Sequence, residues 1–305
     1  MKHSLSVTLV IVLIFLLSQI IGLYALNNSI KITETPYGEI ILEHEETVIG
    51  ERPEIYGAET FVYILVAILA GTILILLLTR YEKPNIWKSM FFFAVWITSS
   101  ITLGVFIDKY LALFVCFLLA FFKVWRPNIW IHNITELLIY AGIVIIFAPL
   151  IDLLWISLLL IAVSIYDIIA VWYSKHMISL AEFQTRTKAF AGFMLSYKMK
   201  SNEKSKRKEL EEGYENREEV RNAILGGGDI AFPMLFAGVV MESMLMSGFI
   251  KPIAFLNALI IPIICTIVLF LLLFFAKKDK FYPAMPFLTT GCFIGYGIIL
   301  ALGMI

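Results

Sequence analysis

The chain has 305 residues, of which 60% are hydrophobic and 16% charged, and its mean hydropathy is +0.87. This much apolar surface excludes an ordinary soluble domain and predicts an all-α protein that crosses a lipid bilayer several times. The formal net charge is +0, so charge gives no sign of a nucleic-acid partner, and we expect none. The three cysteines lie in apolar stretches and are predicted to pack there rather than form a disulfide or a metal site.

Nine apolar stretches are predicted to be transmembrane helices. They are residues 5–26, 60–79, 87–107, 111–122, 134–150, 151–173, 223–249, 253–276 and 283–302. The first has the basic start of a signal peptide, but its length favours a retained helix. The fourth is the weakest, because about 20 residues are needed to cross a bilayer and it has only about a dozen.

Lysine and arginine fall mostly on one side of this arrangement. With nine spans and an inner N-terminus, the inner segments hold 20 of the 24 basic residues. This bias predicts a protein of the cell membrane with the N-terminus in the cytoplasm and the C-terminus outside. The predicted spans and loops divide one integral membrane domain into three parts. These are helices 1–6 over residues 1–173 with an extracytoplasmic loop at 27–58, a cytoplasmic loop at 174–222, and helices 7–9 over 223–305.

The sequence also predicts the local structure of three segments between the spans. Residues 39–44 alternate between polar and apolar, which predicts a small hairpin or a flap that contacts substrate. Residues 189–195 are apolar but too short to cross, so we expect them on the membrane surface or over a site. Residues 198–219 are highly charged and predicted to be mobile.

Two aspartates lie inside predicted spans and away from the span ends, where a charged side chain is costly and therefore indicates function. Asp167 is in the sixth span, and Asp229 follows Gly226, Gly227 and Gly228 in the seventh. Each aspartate is eight residues from the nearest charge expected on the inner side. In a helix that is roughly 12 Å, so the two acids of these antiparallel spans are predicted at the same depth.

Paired carboxyl groups in a low-dielectric site share a proton, because they cannot both ionise easily. One can take a proton from water while the other protonates the scissile carbonyl or the leaving amine. The sequence has no His-Glu-x-x-His motif, and its four histidines lie at termini, loops or span edges. A zinc protease and a serine–histidine dyad are therefore disfavoured, and no metal or other cofactor is expected.

Peptide hydrolysis requires an extended substrate, so the enzyme must offer free backbone groups. The three glycines are predicted to do so, together with Pro283, Ala284 and Met285 at the start of the ninth span. Tyr166 either orients its neighbouring aspartate or packs. Glu136 is interpreted as a helix-end residue.

Three motifs, in chain order and on the expected spans, resemble the YD, GxGD and PAL motifs of presenilins and signal peptide peptidases. They are Tyr166-Asp167, Gly226-Gly227-Gly228-Asp229 and Pro283-Ala284-Met285. The resemblance covers nearly the whole chain and is most like an archaeal presenilin homologue. It implies a presenilin-like nine-helix fold, catalysis by Asp167 and Asp229, and support of the site by the Pro283 motif. Methionine replaces the family's leucine at position 285, which puts substrate preference in doubt.

The predicted function is that of an intramembrane aspartyl endopeptidase. Its expected substrates are single-span membrane proteins or remnant signal peptides in the bilayer, cut near their cytoplasmic side. Presenilins need partner subunits and are cut in the loop, whereas signal peptide peptidases act alone and uncut. We expect no obligate partner here and leave a homo-oligomer open. The alternatives are a proton-coupled transporter or cation leak channel that uses the acids as a relay, and an inactive protein that binds helices.

Overall fold

A computed structural model of the chain describes residues 5–34, 40–44, 46–173, 183–184, 187, 189–198, 220–276 and 282–304. Helices dominate these residues, as the composition predicts. In chain order the elements are α1 (Leu5–Ser29), β1 (Ile30–Glu34), β2 (Ile40–His44), α2 (Ala58–Arg80), α3 (Pro84–Gly104), α4 (Lys109–Trp125), α5 (Ile129–Phe147), α6 (Leu153–Ile168), β3 (Gly192–Lys198), β4 (Val220–Gly226), α7 (Gly227–Met246), α8 (Lys251–Ala258), α9 (Ile260–Phe275) and α10 (Met285–Ala301).

The helices agree approximately with the nine predicted spans. Within the described part of the chain, seven helical stretches are long and apolar enough to cross a membrane, with α8 and α9 counted together. The fourth and ninth predicted spans correspond to α4 and α10, which have 17 residues each. The eighth span is divided near Leu259, because Pro262 has no N–H to donate to the Ala258 carbonyl.

Polar side chains fix where three of the helices begin. The Asp108 carboxylate accepts hydrogen bonds from the first N–H groups of α4, the Asn128 side chain does so for α5, and the Asp152 carboxylate for α6. These N–H groups have no partner within their own helix, so a capping side chain stabilises the helix start. The caps place α6, and with it Asp167, at a defined register.

Helix α7 is the most enclosed of the candidate spans, because 72% of its 18-residue apolar stretch is buried. It packs against α1, α5, α6 and α10. Gly22 of α1 lies directly against the side chain of Met234 of α7, which would have to shift to accommodate a larger residue. The N-terminal end of α7, which carries Asp229, is therefore set within the bundle.

Over the ranges that the structure describes, two small antiparallel hairpins accompany the helices. The first pairs β1 with β2 in a register that places Ile30 opposite His44. It confirms the hairpin predicted around residues 39–44, while the flap hypothesis remains a prediction.

The second hairpin, of β3 and β4, was not predicted. The seventh span was expected from residue 223, but residues 220–226 are a strand and the helix begins only at Gly227. Burial alternates along β4, with Ala223 and Leu225 buried and Ile224 exposed, which is the period of a strand. The segment predicted at 189–195 lies partly in β3, its partner. Residues 199–219 lie outside the described residues, so the prediction of mobility there is untested.

A buried polar cluster joins the first hairpin to the far end of α7. The Nε2 atom of His44 is 3.8 Å from a carboxyl oxygen of Glu242. Burial of the imidazole, and to a lesser degree the nearby charge of Arg52, lowers the pKa of His44 to about 4. The imidazole is therefore neutral at pH 7, which weakens any ion pair with Glu242.

This pKa predicts a loss of stability in acid. The unfolded chain protonates His44 near pH 6.5, while the folded chain does so only near pH 4. The contribution of neutral His44 to stability is complete above about pH 6.5 and is lost as the pH falls towards 4. We expect the melting temperature of the wild type to fall more than that of His44→Gln between pH 7 and 4. Thermal unfolding in detergent checks this, and equal falls in both proteins would contradict it.

Candidate active site

Asp167 lies near the end of α6 and is only 8% exposed. Its Oδ2 atom accepts a hydrogen bond from the Met285 N–H at 3.1 Å, and the backbone of Ala284 also bonds to this carboxyl group. These backbone groups stand at the start of α10, where N–H groups have no partner within the helix. Asp167 and the start of α10 therefore hold each other in place.

Two further side chains fasten α10 to α6. The hydroxyl groups of Ser164 and Thr289 are 2.8 Å apart, and Thr289 also donates to the Leu160 carbonyl at 3.4 Å. Leu160, Ser164 and Asp167 recur at helical spacing and so share one face of α6. This face carries the contacts that fix the start of α10 beside Asp167.

Asp229 lies in the first turn of α7, three residues after the cap residue Gly226. A Cβ atom added at Gly226 would come within 3.1 Å of the Asp229 carboxyl group, so glycine permits a close approach there. The Asp229 carboxyl is near enough to Asp167 to interact with its charge. The structure thus brings the two predicted acids together.

The predicted depth of Asp229 rested on an incorrect assumption about the residues before it. It treated the residues from Arg221 to Gly226 as helical, but they belong to β4. A strand rises 3.2–3.4 Å per residue rather than 1.5 Å, so the figure of about 12 Å does not apply to this acid. Packing of α6 against α7 brings the carboxyl groups together.

Gly227 lies against the buried side chain of Tyr140 on α5. A Cβ atom at Gly227 would be 2.8 Å from the Tyr140 hydroxyl oxygen, which is itself held by Glu136. At Gly228 the nearest atom would be 3.7 Å away, in Phe232, which is an ordinary contact. Packing therefore requires a glycine at position 227 but not at position 228.

This difference predicts unequal effects of two alanine substitutions. Gly227→Ala should lower the free energy of unfolding by roughly 1–3 kcal/mol, because Tyr140 is too well packed to move aside. Gly228→Ala is the matched control and should change stability little, since alanine favours a helix and meets no close atom. Unfolding in mixed micelles measures both variants, and an equal loss in the two would contradict the packing argument.

Two of the backbone groups that were predicted to be free for substrate are already hydrogen-bonded within the protein. The Gly227 N–H donates to the Ala191 carbonyl at 3.3 Å, so this group is already used. The Ala284 carbonyl accepts from Phe287 and Leu288 in the first turn of α10 and is not available either. Pro283 is buried and precedes this turn. The backbone at this motif supports Asp167 through its N–H groups.

The two remaining motif residues point to different roles. The Tyr166 hydroxyl is 2.9 Å from the Thr72 hydroxyl, so this ring reaches α2. Met285 contacts Asp167 through its backbone N–H, which any residue other than proline can supply. Its side chain is buried, so the methionine affects packing rather than this hydrogen bond.

Gln19 on α1 is a residue that the sequence argument missed. Its side-chain amide donates to the Ile230 carbonyl of α7 at 2.8 Å in a buried position. Pro233 lies inside the same helix and cannot donate to the Asp229 carbonyl four residues earlier. The first turns of α7 therefore depend partly on bonds from outside that helix. The presence of glutamine in the first apolar span was the feature of the sequence that could have indicated a buried polar contact.

A buried ionic network was also missed. Glu136 is fully buried on α5, bonds to Lys123 of α4 and accepts from the Tyr140 hydroxyl. It also accepts from the Gly192 N–H of β3 at 3.0 Å. The interpretation of Glu136 as a simple helix-end residue was wrong, and Lys123, counted among the inner charges, is buried in the bundle. Two charges inside apolar spans were the signal.

Among the residues that the structure describes, no cluster of three or more His, Cys, Asp or Glu side chains could hold a metal ion. The Sγ atoms of Cys265 and Cys292 are 3.5 Å apart between α9 and α10, so these two cysteines are neighbours rather than scattered. Both are buried and free, as the packing role predicts.

A bundle of apolar helices with two acids meeting between α6 and α7 defines a multi-pass integral membrane protein with a paired-carboxyl site. Comparison with protein families matches residues 12–304 to the family described as "Signal-peptide peptidase, presenilin aspartyl protease". The chain therefore belongs to this family, and it is an intramembrane aspartic endopeptidase. No curated protein sequence matches it.

Solved structures show the same fold. A presenilin family intramembrane aspartate protease in space group C222 superposes with a TM-score of 0.60 at 19% identity, covering 97% of this chain and 99% of that one. Another, in space group P2, gives a TM-score of 0.54 at 20% identity and covers 96% of each chain. At these identities the likeness concerns the fold alone, and it agrees with the predicted presenilin-like architecture.

Proposed function

We propose that Asp167 and Asp229 are the catalytic pair of this protease. The observation that carries the proposal is that the two acids lie on packed helices, α6 and α7, close enough for their charges to interact, with Asp167 held by the backbone at the start of α10. The motif residues Tyr166, Gly226, Gly227, Gly228, Pro283, Ala284 and Met285 support the pair or bind substrate. Their contacts with the helices around the acids support this role.

In the proposed reaction one aspartate takes a proton from a water molecule whose oxygen attacks the scissile carbonyl carbon. The other aspartate donates a proton to the carbonyl oxygen, which gives a tetrahedral intermediate with two hydroxyl groups. As the C–N bond breaks, the first aspartate passes the proton it took from water to the leaving amine, and a hydroxyl group of the intermediate returns a proton to the second aspartate. The products are a carboxyl group and an amine, so water is the only co-reactant. Hydrogen bonds to Asp167 from the start of α10 keep its carboxyl group oriented for this exchange.

The substrate is proposed to bind in an extended form beside β4. A helical substrate must unwind to expose a peptide bond, and its freed backbone groups then need partners in a medium that offers none. Strand β4 leads directly into Gly226 and the turn of α7 that carries Asp229. An extended segment paired with β4 would run past the two acids.

The proposed substrates are single-span membrane proteins or remnant signal peptides, cut near their cytoplasmic side. The charge distribution supports placing the N-terminus and residues 174–222 in the cytoplasm and the C-terminus outside, in the cell membrane. In this proposal the membrane domain comprises helices up to residue 173, a cytoplasmic loop at 174–222 and helices from residue 223. The protein is proposed to act without obligate partner subunits. The comparisons give no support to the transporter alternative.

The test uses the purified full chain in liposomes with a labelled single-span substrate of known orientation. We expect two fragments, identified by mass spectrometry, from a cut in the cytoplasmic half of the substrate helix without any added protein. Cleavage only after partner proteins are supplied would contradict the solitary enzyme. No cleavage, combined with proton flux in the same liposomes, would favour the transporter.

A further inference from the structure

One edge of strand β3 is closed by side chains of α5. The Asn133 amide donates to the Met194 carbonyl at 2.9 Å and accepts from the Met194 N–H at 3.0 Å. At Gly192, the N–H donates to Glu136 at 3.0 Å, and the carbonyl accepts from His132 Nε2 at 2.7 Å. Four backbone groups that face away from β4 are thus all paired.

These bonds also fix which groups of β4 are left open. Because Gly192 and Met194 direct their backbone groups towards α5, they form non-hydrogen-bonded pairs with their partners on β4, Gly226 and Ile224. In such pairs the partner residues also direct their backbone groups outwards. The N–H and carbonyl of Ile224 and the N–H of Gly226 therefore face the outer edge of β4. Among the described residues this sheet has only two strands.

The face of α5 that closes β3 is itself firmly held. His132 and Glu136 are buried, with 7% and 0% of their surface exposed. Lys123 neutralises Glu136 from α4, and Tyr140 joins the same carboxylate one turn further along α5. A buried, fully bonded polar network specifies one arrangement of the groups that it joins. Within the described part of the chain, the hydrogen bonds from α5 to the hairpin all reach β3.

We propose that Asn133, His132 and Glu136 are positioning residues, which replace a third strand at β3, so that among the described strands the outer edge of β4 is the one where an extended substrate can add. This inference rests on the proposed function. An exposed strand edge can pair with any extended chain. Closing one of the two edges selects the side on which the substrate lies, and a fixed β3 sets the register of the substrate bond that reaches Asp229.

The test compares Asn133→Ala with Thr135→Ala. Among the described residues, the bonds of the Thr135 hydroxyl stay within α5, to the carbonyls of Ile131 and His132, so its loss is a matched control. For Asn133→Ala we expect cleavage at additional neighbouring bonds and a KM raised roughly 2- to 10-fold, with kcat changed less. Asn133→Gln keeps both amide groups and should restore part of the wild-type pattern. Thr135→Ala should keep the wild-type cut.

Amide hydrogen exchange without substrate separates this inference from the proposed function. In the wild type the Met194 amide should exchange slowly and the Ile224 amide quickly. Asn133→Ala should speed the exchange of Met194 while Thr135→Ala should not. Slow exchange of Ile224 in the free protein would overturn the open edge, whether or not the protein cleaves. If the wild type cleaves and Asn133→Ala gives the same products and KM, the positioning role is wrong and the protease assignment stands.

Discussion

Replacing Asp167 or Asp229 by asparagine is expected to lower the cleavage rate by roughly 10²- to 10⁴-fold or more. Asparagine keeps the shape of each side chain but can neither accept a proton from water nor donate one to the leaving amine. The Met285 N–H can still donate to the amide oxygen at position 167, so the fold should persist. Initial rates on a labelled single-span substrate measure the effect.

Glu242→Gln is the control for these variants. Glu242 is a buried acid on the same helix as Asp229, near the opposite end of α7 and beside His44. Its replacement should leave the cleavage rate close to that of the wild type. If either Asp167→Asn or Asp229→Asn keeps a wild-type rate, the catalytic pair is wrong. If Glu242→Gln is inactive while folded, the pair is incomplete.

Replacing Lys123 by methionine is expected to lower the free energy of unfolding by about 3–5 kcal/mol. Lys123 is 1% exposed and Glu136 is 0% exposed, so the substitution leaves a buried carboxylate without its cation. The ammonium group also lies 5.4 Å from the centre of the Phe91 ring, a contact that is lost as well. Unfolding in mixed micelles measures the change.

Two further variants show whether charge is the cause. Lys109→Met changes a lysine at the exposed start of α4, where the ammonium group lies 5.2 Å from the Tyr110 ring centre, and should cost about 1 kcal/mol or less. The double variant Lys123→Met/Glu136→Gln removes both charges and should recover part of the lost stability. If it is no more stable than Lys123→Met alone, loss of packing rather than an unpaired charge explains the effect.

The helices, and the two acids proposed as the catalytic pair, could be picked out because their signals are local. Long apolar runs give the spans, and an acid inside such a run is unusual enough to stand out, as at Asp167 and Asp229. The pairing of these acids followed from antiparallel neighbouring spans. The depth argument for this pair rested on an incorrect helical assumption for residues 221–226.

The hairpin of β3 and β4 could not be predicted in the same way. Short apolar runs such as residues 189–195 and 223–225 fit either a helix or a strand, and periodicity does not decide between them. What decides is pairing between Phe193 and Leu225 across a long, charged segment. Neither segment alone contains the information that predicts this pairing.

The network around Glu136 was visible only in part. The charges of Lys123 and Glu136 inside apolar spans were in the sequence, but a lysine near a span end also fits an inner loop. The partners of the carboxylate are set by the packing of α4, α5 and β3, including the N–H of Gly192. A backbone partner carries no signal in the side-chain sequence, so tertiary structure was needed.

The central claim is that Asp167 and Asp229 direct water to a peptide bond within the membrane. The most direct measurement is mass spectrometry of the fragments formed from a single-span substrate in liposomes prepared in heavy-oxygen water. We predict a wild-type N-terminal fragment with one heavy oxygen in its new carboxyl group, and no such fragment with Asp167→Asn or Asp229→Asn. The same labelled fragment from either folded variant at the wild-type rate would contradict the claim.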